Sequence, residues 1–99
     1  MPDSRTLEQR QWSKLEKREL VGDYKVRIGC YDCGYNQHPA ALDLDHLPGF
    51  EKKATVSQLV EGDYSLSVIF AEIEKCEVVC SNCHRIRTSM RRKESRRQI

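Results

Sequence analysis

The chain has 99 residues, of which 38% are hydrophobic and 32% are charged, and its formal net charge at pH 7 is +2. We expect a chain of this size to form one small domain with little room for a second, and its thin apolar core favours a metal or disulfide staple. No apolar run approaches membrane-spanning length, and the N-terminus lacks the charged and apolar regions of a secretory signal. We therefore expect a cytoplasmic protein, without a membrane partner, whose closely spaced cysteines bind metal.

The first part of the chain predicts a helix followed by a short strand. Residues 4–21 have an amphipathic pattern that Ser4 or Asp3 can cap and that Gly22 ends. The predicted apolar face consists of Leu7, Trp12, Leu15 and Leu20. Residues 24–28 alternate between apolar and basic side chains, which predicts an extended segment.

The middle of the chain predicts one strand and two helices. Residues 40–45 alternate between apolar and acidic side chains and predict a strand that ends at His46, just before a Pro-Gly break. Residues 55–60 predict a short helix, and residues 65–75 predict a longer one that Ser65 caps. The apolar face of the longer helix consists of Leu66, Ile69, Phe70 and Ile73.

The last part of the chain predicts a second strand and a basic helix. Residues 77–79 form a brief extended stretch, and residues 81–94 have a helical pattern. Ile86 and Met90 are one turn apart, so we expect them to face inward and the arginines to face outward. Helices and strands together predict an α+β domain.

Two Cys-x-x-Cys pairs give the strongest chemical signal in the sequence. They comprise Cys30, Cys33, Cys80 and Cys83. A two-residue gap lets both thiolates of one turn reach the same metal, and two such pairs complete a closed tetrahedral shell. We therefore predict one structural Zn²⁺ with no open position for a substrate. Cys76 has no partner at this spacing, and we expect it to pack as a small apolar residue.

A second group of polar residues surrounds the first strand. Asp43 and Asp45 fall on one side of that strand, and His46 stands at its end. Zinc would draw His84, which follows the last cysteine, towards the same strand. One carboxylate and one imidazole could then hold a divalent cation while His46 accepts a proton from water. This combination suits phosphodiester hydrolysis.

The positive charge is concentrated at the C-terminus. Residues 85–99 contain seven lysines and arginines and one acidic residue, so the rest of the chain is net negative. Such asymmetry is typical of proteins that bind a polyanion, most often nucleic acid. The predicted DNA contacts are Arg85, Arg87, Arg91 and Arg92.

Three motifs follow one another in a specific order between residues 30 and 90. They are Cys30-x-x-Cys33, then Leu42-Asp43-Leu44-Asp45-His46-Leu47-x-Gly49, then Cys80-Ser81-Asn82-Cys83-His84-Arg85-Ile86-Arg87-Thr88. In these motifs the chain resembles the HNH endonuclease family, in the short form common in phage genomes. The resemblance implies a small zinc-stapled ββα-metal domain over residues 23–99, with residues 1–22 as an added N-terminal helical extension.

The resemblance also implies roles for particular residues. Asp45 and His84 would ligate a catalytic cation, Mg²⁺ or another divalent ion such as Mn²⁺ or Ni²⁺, and His46 would be the general base. Arg87 falls where the family usually has a basic residue near phosphate. The implied activity is metal-dependent DNA cleavage, of one strand or both. Lys75 occupies the position of the family's middle Asn, which holds the histidine-bearing loop in shape.

Two other functions are compatible with the same sequence. The first is a non-catalytic zinc module that only binds nucleic acid through its basic helix; such a module has no need of Asp45, His46 or His84. The second is a zinc-held adaptor for another protein, which would dock through the N-terminal apolar face of Leu7, Trp12 and Leu15.

Overall fold

The computed structural model describes residues 11–97, which form an α+β unit of four helices and one two-stranded antiparallel sheet. The elements in chain order are α1 (Lys14–Ile28), a 3₁₀ turn (Pro39–Ala41), β1 (Leu42–His46), α2 (Val56–Glu61), α3 (Leu66–Ile73), β2 (Cys76–Cys80) and α4 (Ser81–Arg97). The predicted α+β class is confirmed for this part of the chain. None of the helices within it combines the length and the apolar character needed to cross a membrane.

Helix α1 begins at a capping box and both begins and ends later in the chain than the sequence indicated. The Ser13 hydroxyl accepts a hydrogen bond from the Glu16 backbone N–H, and the Glu16 side chain accepts one from the Ser13 N–H. The predicted caps Asp3 and Ser4, and also Leu7, lie outside the described residues. Leu15 was predicted to lie on the apolar face but is 61% exposed.

The prediction that α1 stops at Gly22 and that a strand follows it is wrong, because the helix continues to Ile28. A Cβ at position 22 would lie 3.3 Å from the Pro39 Cβ, so this glycine permits close packing of the 3₁₀ turn instead of ending the helix. The helix ends at Gly29, whose φ of 76° suits a residue without a side chain. Within residues 11–97 the sheet consists of β1 and β2, so residues 24–28 have no strand partner there. Helical hydrogen bonds satisfy their backbone instead.

The two predicted strands, β1 and β2, pair with each other in the antiparallel sheet. Leu42 lies opposite Cys80, and His46 lies opposite Cys76. β1 begins at Leu42, two residues later than predicted, because the 3₁₀ turn that starts at Pro39 includes Ala40 and Ala41. Successive side chains of a strand point to opposite faces. The sheet therefore has two chemically different faces, and the acidic one faces α4.

The core of the described residues consists of two apolar clusters. The first packs α1, α2 and α3 together and contains Val21, Val56, Leu59, Val60, Ile69 and Ile73. The second lies beside the cysteines and contains Cys30, Leu42, Val78, Val79 and Cys80. Tyr24 and Leu44 contact both clusters. The predicted helices at 55–60 and 65–75 are confirmed within a residue or two, with Thr55 and Ser65 as their N-caps.

Helix α4 packs against the sheet through Arg87 and Arg91, while Ile86 and Met90 face outward, the reverse of the orientation predicted for these residues. Ile86 and Met90 are 57% and 58% exposed, whereas the Arg87 side chain is only 15% exposed. The cause is the acidic face of the sheet: Asp45 is buried there at 4% exposed and requires a positive partner. The pairing of Asp45 with arginines thus determines the orientation of α4, and Ile86 and Met90 remain in water.

Candidate functional site

The first cysteine pair lies in a tight turn directly after α1. The Cys30 N–H donates to the Tyr35 carbonyl, and the Gly34 N–H donates to the Cys30 carbonyl, each at 2.8 Å. The Tyr31 N–H donates to the Val78 carbonyl at 2.8 Å, which fastens this turn to β2. The Cys33 N–H also points at the Cys30 Sγ, at 3.4 Å.

The second pair lies at the junction of β2 and α4. Cys80 is the last residue of the strand, and Cys83 is in the first turn of the helix, with its N–H donating to the Cys80 Sγ at 3.4 Å. The four Sγ atoms lie within 4.8 Å of one another, and those of Cys33 and Cys80 are 3.7 Å apart. Tetrahedral zinc with Zn–S bonds of about 2.3 Å places its sulfurs about 3.8 Å apart. The four cysteines therefore form a cluster that can hold a metal such as zinc.

The surroundings of the cluster stabilise one thiolate, that of Cys30, whereas a hydrogen bond with Cys80 and burial raise the pKa of Cys83. Burial in itself raises the pKa of Cys30, but backbone N–H groups of Cys80, Cys33 and Asp32 outweigh that effect and lower it to about 6. A thiolate is the form that ligates metal. Over residues 11–97, this cluster alone brings three or more cysteine, histidine or carboxylate ligands close enough to share one ion.

His84 lies between the two aspartates of β1. Its Nδ1 is 3.0 Å from Asp43 Oδ2, and its Nε2 is 3.6 Å from Asp45 Oδ1. An ionised carboxylate only accepts hydrogen bonds, so Nδ1 carries the proton in the bond to Asp43. The other ring nitrogen, Nε2, faces Asp45. A histidine held in this way by a carboxylate is the usual arrangement of a metal-binding imidazole.

Asp45 is also bound by two arginines of α4. Arg87 Nη1 is 2.9 Å from Asp45 Oδ2, and Arg91 donates to both carboxylate oxygens at 2.9 and 2.8 Å. Burial raises the pKa of Asp45, but the hydrogen bonds from Arg91 and Arg87 outweigh burial and lower it below the usual value. Asp45 is therefore ionised at neutral pH. A cation at this carboxylate would compete with the two guanidinium groups.

His46 lies on the opposite face of β1 from Asp45 and contacts α3. Its Nε2 is 2.8 Å from Oε2 of Glu72, a carboxylate that is 2% exposed. The structure thus brings Asp45 and His84 together, and it places the predicted general base next to them in the chain but in a separate hydrogen-bond network.

A groove with basic walls runs past His84 along α4. The side chains that line it are Asp43, Ser81, His84, Arg85, Thr88, Ser89, Arg92 and Lys93. Of the four predicted DNA contacts, Arg85 and Arg92 are exposed in this groove. Arg87 and Arg91 are held by Asp45 instead.

Comparisons of this chain with protein-family models, curated protein sequences and solved structures find no match. The resemblance to HNH endonucleases therefore stays a prediction that rests on its motifs, and the function has to be argued from the geometry of the site.

Three partners of the site residues were not predicted from the sequence. Asp43 was placed on the correct strand face but given no role, although it orients His84. Glu72 was hidden in the apolar pattern of α3, where a charge between Ile69 and Ile73 was the available signal. Asp32 lies between the first two cysteines and accepts two hydrogen bonds from Arg87, both at 2.7 Å.

Proposed function

We propose that this protein is a zinc-stapled, metal-dependent DNA endonuclease of the HNH type. The observation that carries the proposal is the Asp43–His84–Asp45 arrangement. Asp43 holds the imidazole so that its Nε2 faces the ionised Asp45 carboxylate, 3.6 Å away. An imidazole nitrogen and a carboxylate oxygen that face each other in this way are a donor pair that one divalent cation can share.

Asp45 and His84 would hold the catalytic cation, Mg²⁺ being the foremost candidate. Two protein ligands suit Mg²⁺, which keeps several waters and takes further oxygens from substrate phosphates. When bound, the cation would neutralise charge on the phosphate and on the leaving oxygen. The arginines explain why DNA and cation would bind together: a phosphate that attracts Arg91, whose side chain is 44% exposed, frees Asp45 for the cation.

His46, which hydrogen-bonds Glu72 on α3, would supply the general base from the end of β1, directly after Asp45 in the chain. It accepts a proton from water while the water oxygen forms a bond to phosphorus and the bond to the leaving oxygen breaks. The leaving oxygen takes a proton from solvent. The basic groove beside His84 would hold the flanking phosphates through Arg85, Arg92 and Lys93.

Variants of the three residues test this proposal. His46→Ala should lower the cleavage rate by about 10²–10⁴-fold, the typical contribution of general-base catalysis, and leave zinc content and DNA affinity unchanged. Asp45→Asn and His84→Ala should also lower the rate, but added cation should rescue them in part, because they weaken cation binding. His38→Ala removes an exposed histidine outside this cluster and should cleave like the wild type.

The alternative is a zinc module that binds nucleic acid without cutting it. One observation favours it: both oxygens of Asp45 accept hydrogen bonds from arginines. If the folded, zinc-loaded protein binds DNA but the wild type and the His46→Ala variant are equally inactive, this alternative replaces the nuclease.

A further inference from the structure

Glu72 is a charged residue in the middle of an apolar helix face. It lies on α3 between the buried Ile69 and Ile73 and is only 2% exposed. Removing a carboxylate from water costs several kcal/mol unless hydrogen bonds replace the lost solvation. Three donors surround it. They are His46 Nε2 at 2.8 Å, Lys75 Nζ at 3.0 Å and the Lys53 backbone N–H at 3.2 Å.

These contacts determine which nitrogen of His46 carries the proton. Burial raises the pKa of Glu72, but the hydrogen bonds from Lys75, His46 and Lys53 outweigh burial and lower it. Glu72 is therefore an ionised carboxylate, which only accepts hydrogen bonds. The hydrogen in the contact with His46 must then belong to Nε2. A neutral imidazole has a single N–H, so Nδ1 is left with a lone pair.

Lys75 holds both Glu72 and the loop that follows His46. Its ammonium group donates to Glu72 Oε1 at 3.0 Å and to the Glu51 carbonyl at 2.9 Å. Its own carbonyl accepts a hydrogen bond from the Leu47 N–H at 2.9 Å. Lys75 therefore fixes both the segment that follows His46 and the carboxylate that binds the His46 ring.

We propose that Glu72 is the positioning residue of His46: it accepts the Nε2–H and so fixes the ring with Nδ1 as the atom that takes the proton from water. This inference rests on the proposed nuclease function. It assigns to a Glu72–Lys75 pair the support that a resemblance to the HNH family would assign to an asparagine. The imidazolium formed during proton transfer would face the Glu72 carboxylate, which stabilises it.

The test is Glu72→Gln, which keeps the shape of the side chain. In the wild type the three donors share the two carboxylate oxygens of Glu72, whereas a glutamine side chain offers them a single oxygen. If Lys75 keeps that oxygen, the amide NH₂ faces Nε2 and forces it to become the acceptor. The matched control is Glu74→Gln, which makes the same change at an exposed carboxylate two residues further along the chain.

Nitrogen-15 NMR of the zinc-loaded protein in mildly alkaline buffer reads the tautomer directly, and the chain has only three histidines to assign. We expect His46 of the wild type and of Glu74→Gln to carry its proton on Nε2, and Glu72→Gln to shift it wholly or partly to Nδ1. A wild-type His46 protonated on Nδ1, or a tautomer that Glu72→Gln leaves unchanged, would overturn the proposal.

Cleavage kinetics give a second readout. Glu72→Gln should lower kcat by about 10–10²-fold, a part of what a general base contributes, with KM for DNA unchanged. Glu72→Asp, which keeps the charge, should recover part of the loss. Unchanged kcat in Glu72→Gln would contradict the positioning role. If the wild type itself is inactive, the proposed function fails, and the tautomer measurement still decides whether Glu72 sets the state of His46.

Discussion

Arg87 joins three carboxylates that come from different parts of the chain. It donates two hydrogen bonds to Asp32 in the first cysteine turn and one to Asp45 on β1, and it lies 3.0 Å from Glu77 on β2. The hydrogen bond with Asp32 is the main cause that raises the pKa of Arg87, so the side chain stays charged. The same guanidinium group thereby fastens α4 to the sheet and to the metal turn.

Removing Arg87 should destabilise the protein. Arg87→Ala leaves the buried Asp45 with one guanidinium partner fewer, and breaking one partner of a buried ion pair costs about 3 kcal/mol. Arg85→Ala removes an exposed arginine of the same helix and should change stability by no more than about 0.5 kcal/mol. Urea unfolding of both zinc-loaded variants measures the difference. Equal midpoints would show that the Arg87 contacts do not stabilise the fold.

Cys76 should react slowly because its thiol stays protonated. Burial, together with the charges of Glu72 and Asp45, raises its pKa to about 11. Only the thiolate is nucleophilic, so the fraction that reacts increases about tenfold per pH unit below the pKa. Alkylation of the zinc-loaded protein should still accelerate at pH values above about 8.5, where an ordinary cysteine levels off.

The control for this measurement is Cys76→Ser, which should lose the labelling while its zinc content stays the same. A labelling rate that levels off near the ordinary cysteine pKa would mean that Cys76 is in a more open environment than the one described here.

The residue types of the site were predictable, but their partners were not. Cysteine spacing is a local signal, because one tight turn brings two thiolates to the same metal. The contacts His84–Asp43, Arg87–Asp45 and His46–Glu72 join residues 41, 42 and 26 positions apart. Such contacts depend on how the helices dock on the sheet, which no local pattern specifies.

At the scale of elements, the correct predictions coincide with strong local signals. α2 and α3 each begin at a Thr or Ser whose side chain caps the first turn, and β1 ends before a Pro-Gly turn. The errors arose where tertiary contacts override propensity. Residues 24–28 alternate like a strand, yet Tyr24 packs its ring edge-on against Phe70 from within a helix.

The basic end of α4 should determine how DNA affinity depends on salt. Replacing Lys93, Arg96 and Arg97 by glutamine removes three charges beyond the arginines that contact the sheet. Each lost phosphate contact should reduce the log–log salt slope by about 0.9 on duplex DNA. Fluorescence anisotropy over a range of salt concentrations measures the slope.

The control is the double variant Lys14→Gln and Lys52→Gln, which removes positive charge from two exposed positions outside α4. It should leave the slope unchanged. A triple variant whose slope equals that of the wild type would show that the end of α4 does not contact DNA.

At the scale of the whole molecule, the cysteine cluster links parts of the chain that are far apart in sequence. One pair follows α1, and the other connects β2 to α4. The two apolar clusters beside it are small. Zinc binding at such a site contributes on the order of 10 kcal/mol, comparable with the whole stability of a small domain.

Removing zinc should therefore unfold the protein. Chelation should abolish most of the helical far-UV circular dichroism, and Cys33→Ser should expose the Phe70 cluster in the same way. Cys76→Ser, which alters the one cysteine outside the cluster, should retain zinc and its spectrum. A helical spectrum that survives verified removal of all zinc would contradict the structural role of the metal.

The most direct test of the account is cleavage of supercoiled plasmid by the zinc-loaded wild type with Mg²⁺ omitted and then added. Omission is the correct control, because a chelator would also remove the structural zinc and unfold the protein. We predict that conversion to nicked or linear DNA requires Mg²⁺ and falls by about 10²–10⁴-fold in His46→Ala. A folded, zinc-loaded protein that cuts no DNA with any divalent cation, or that cuts equally well without His46, would contradict the account.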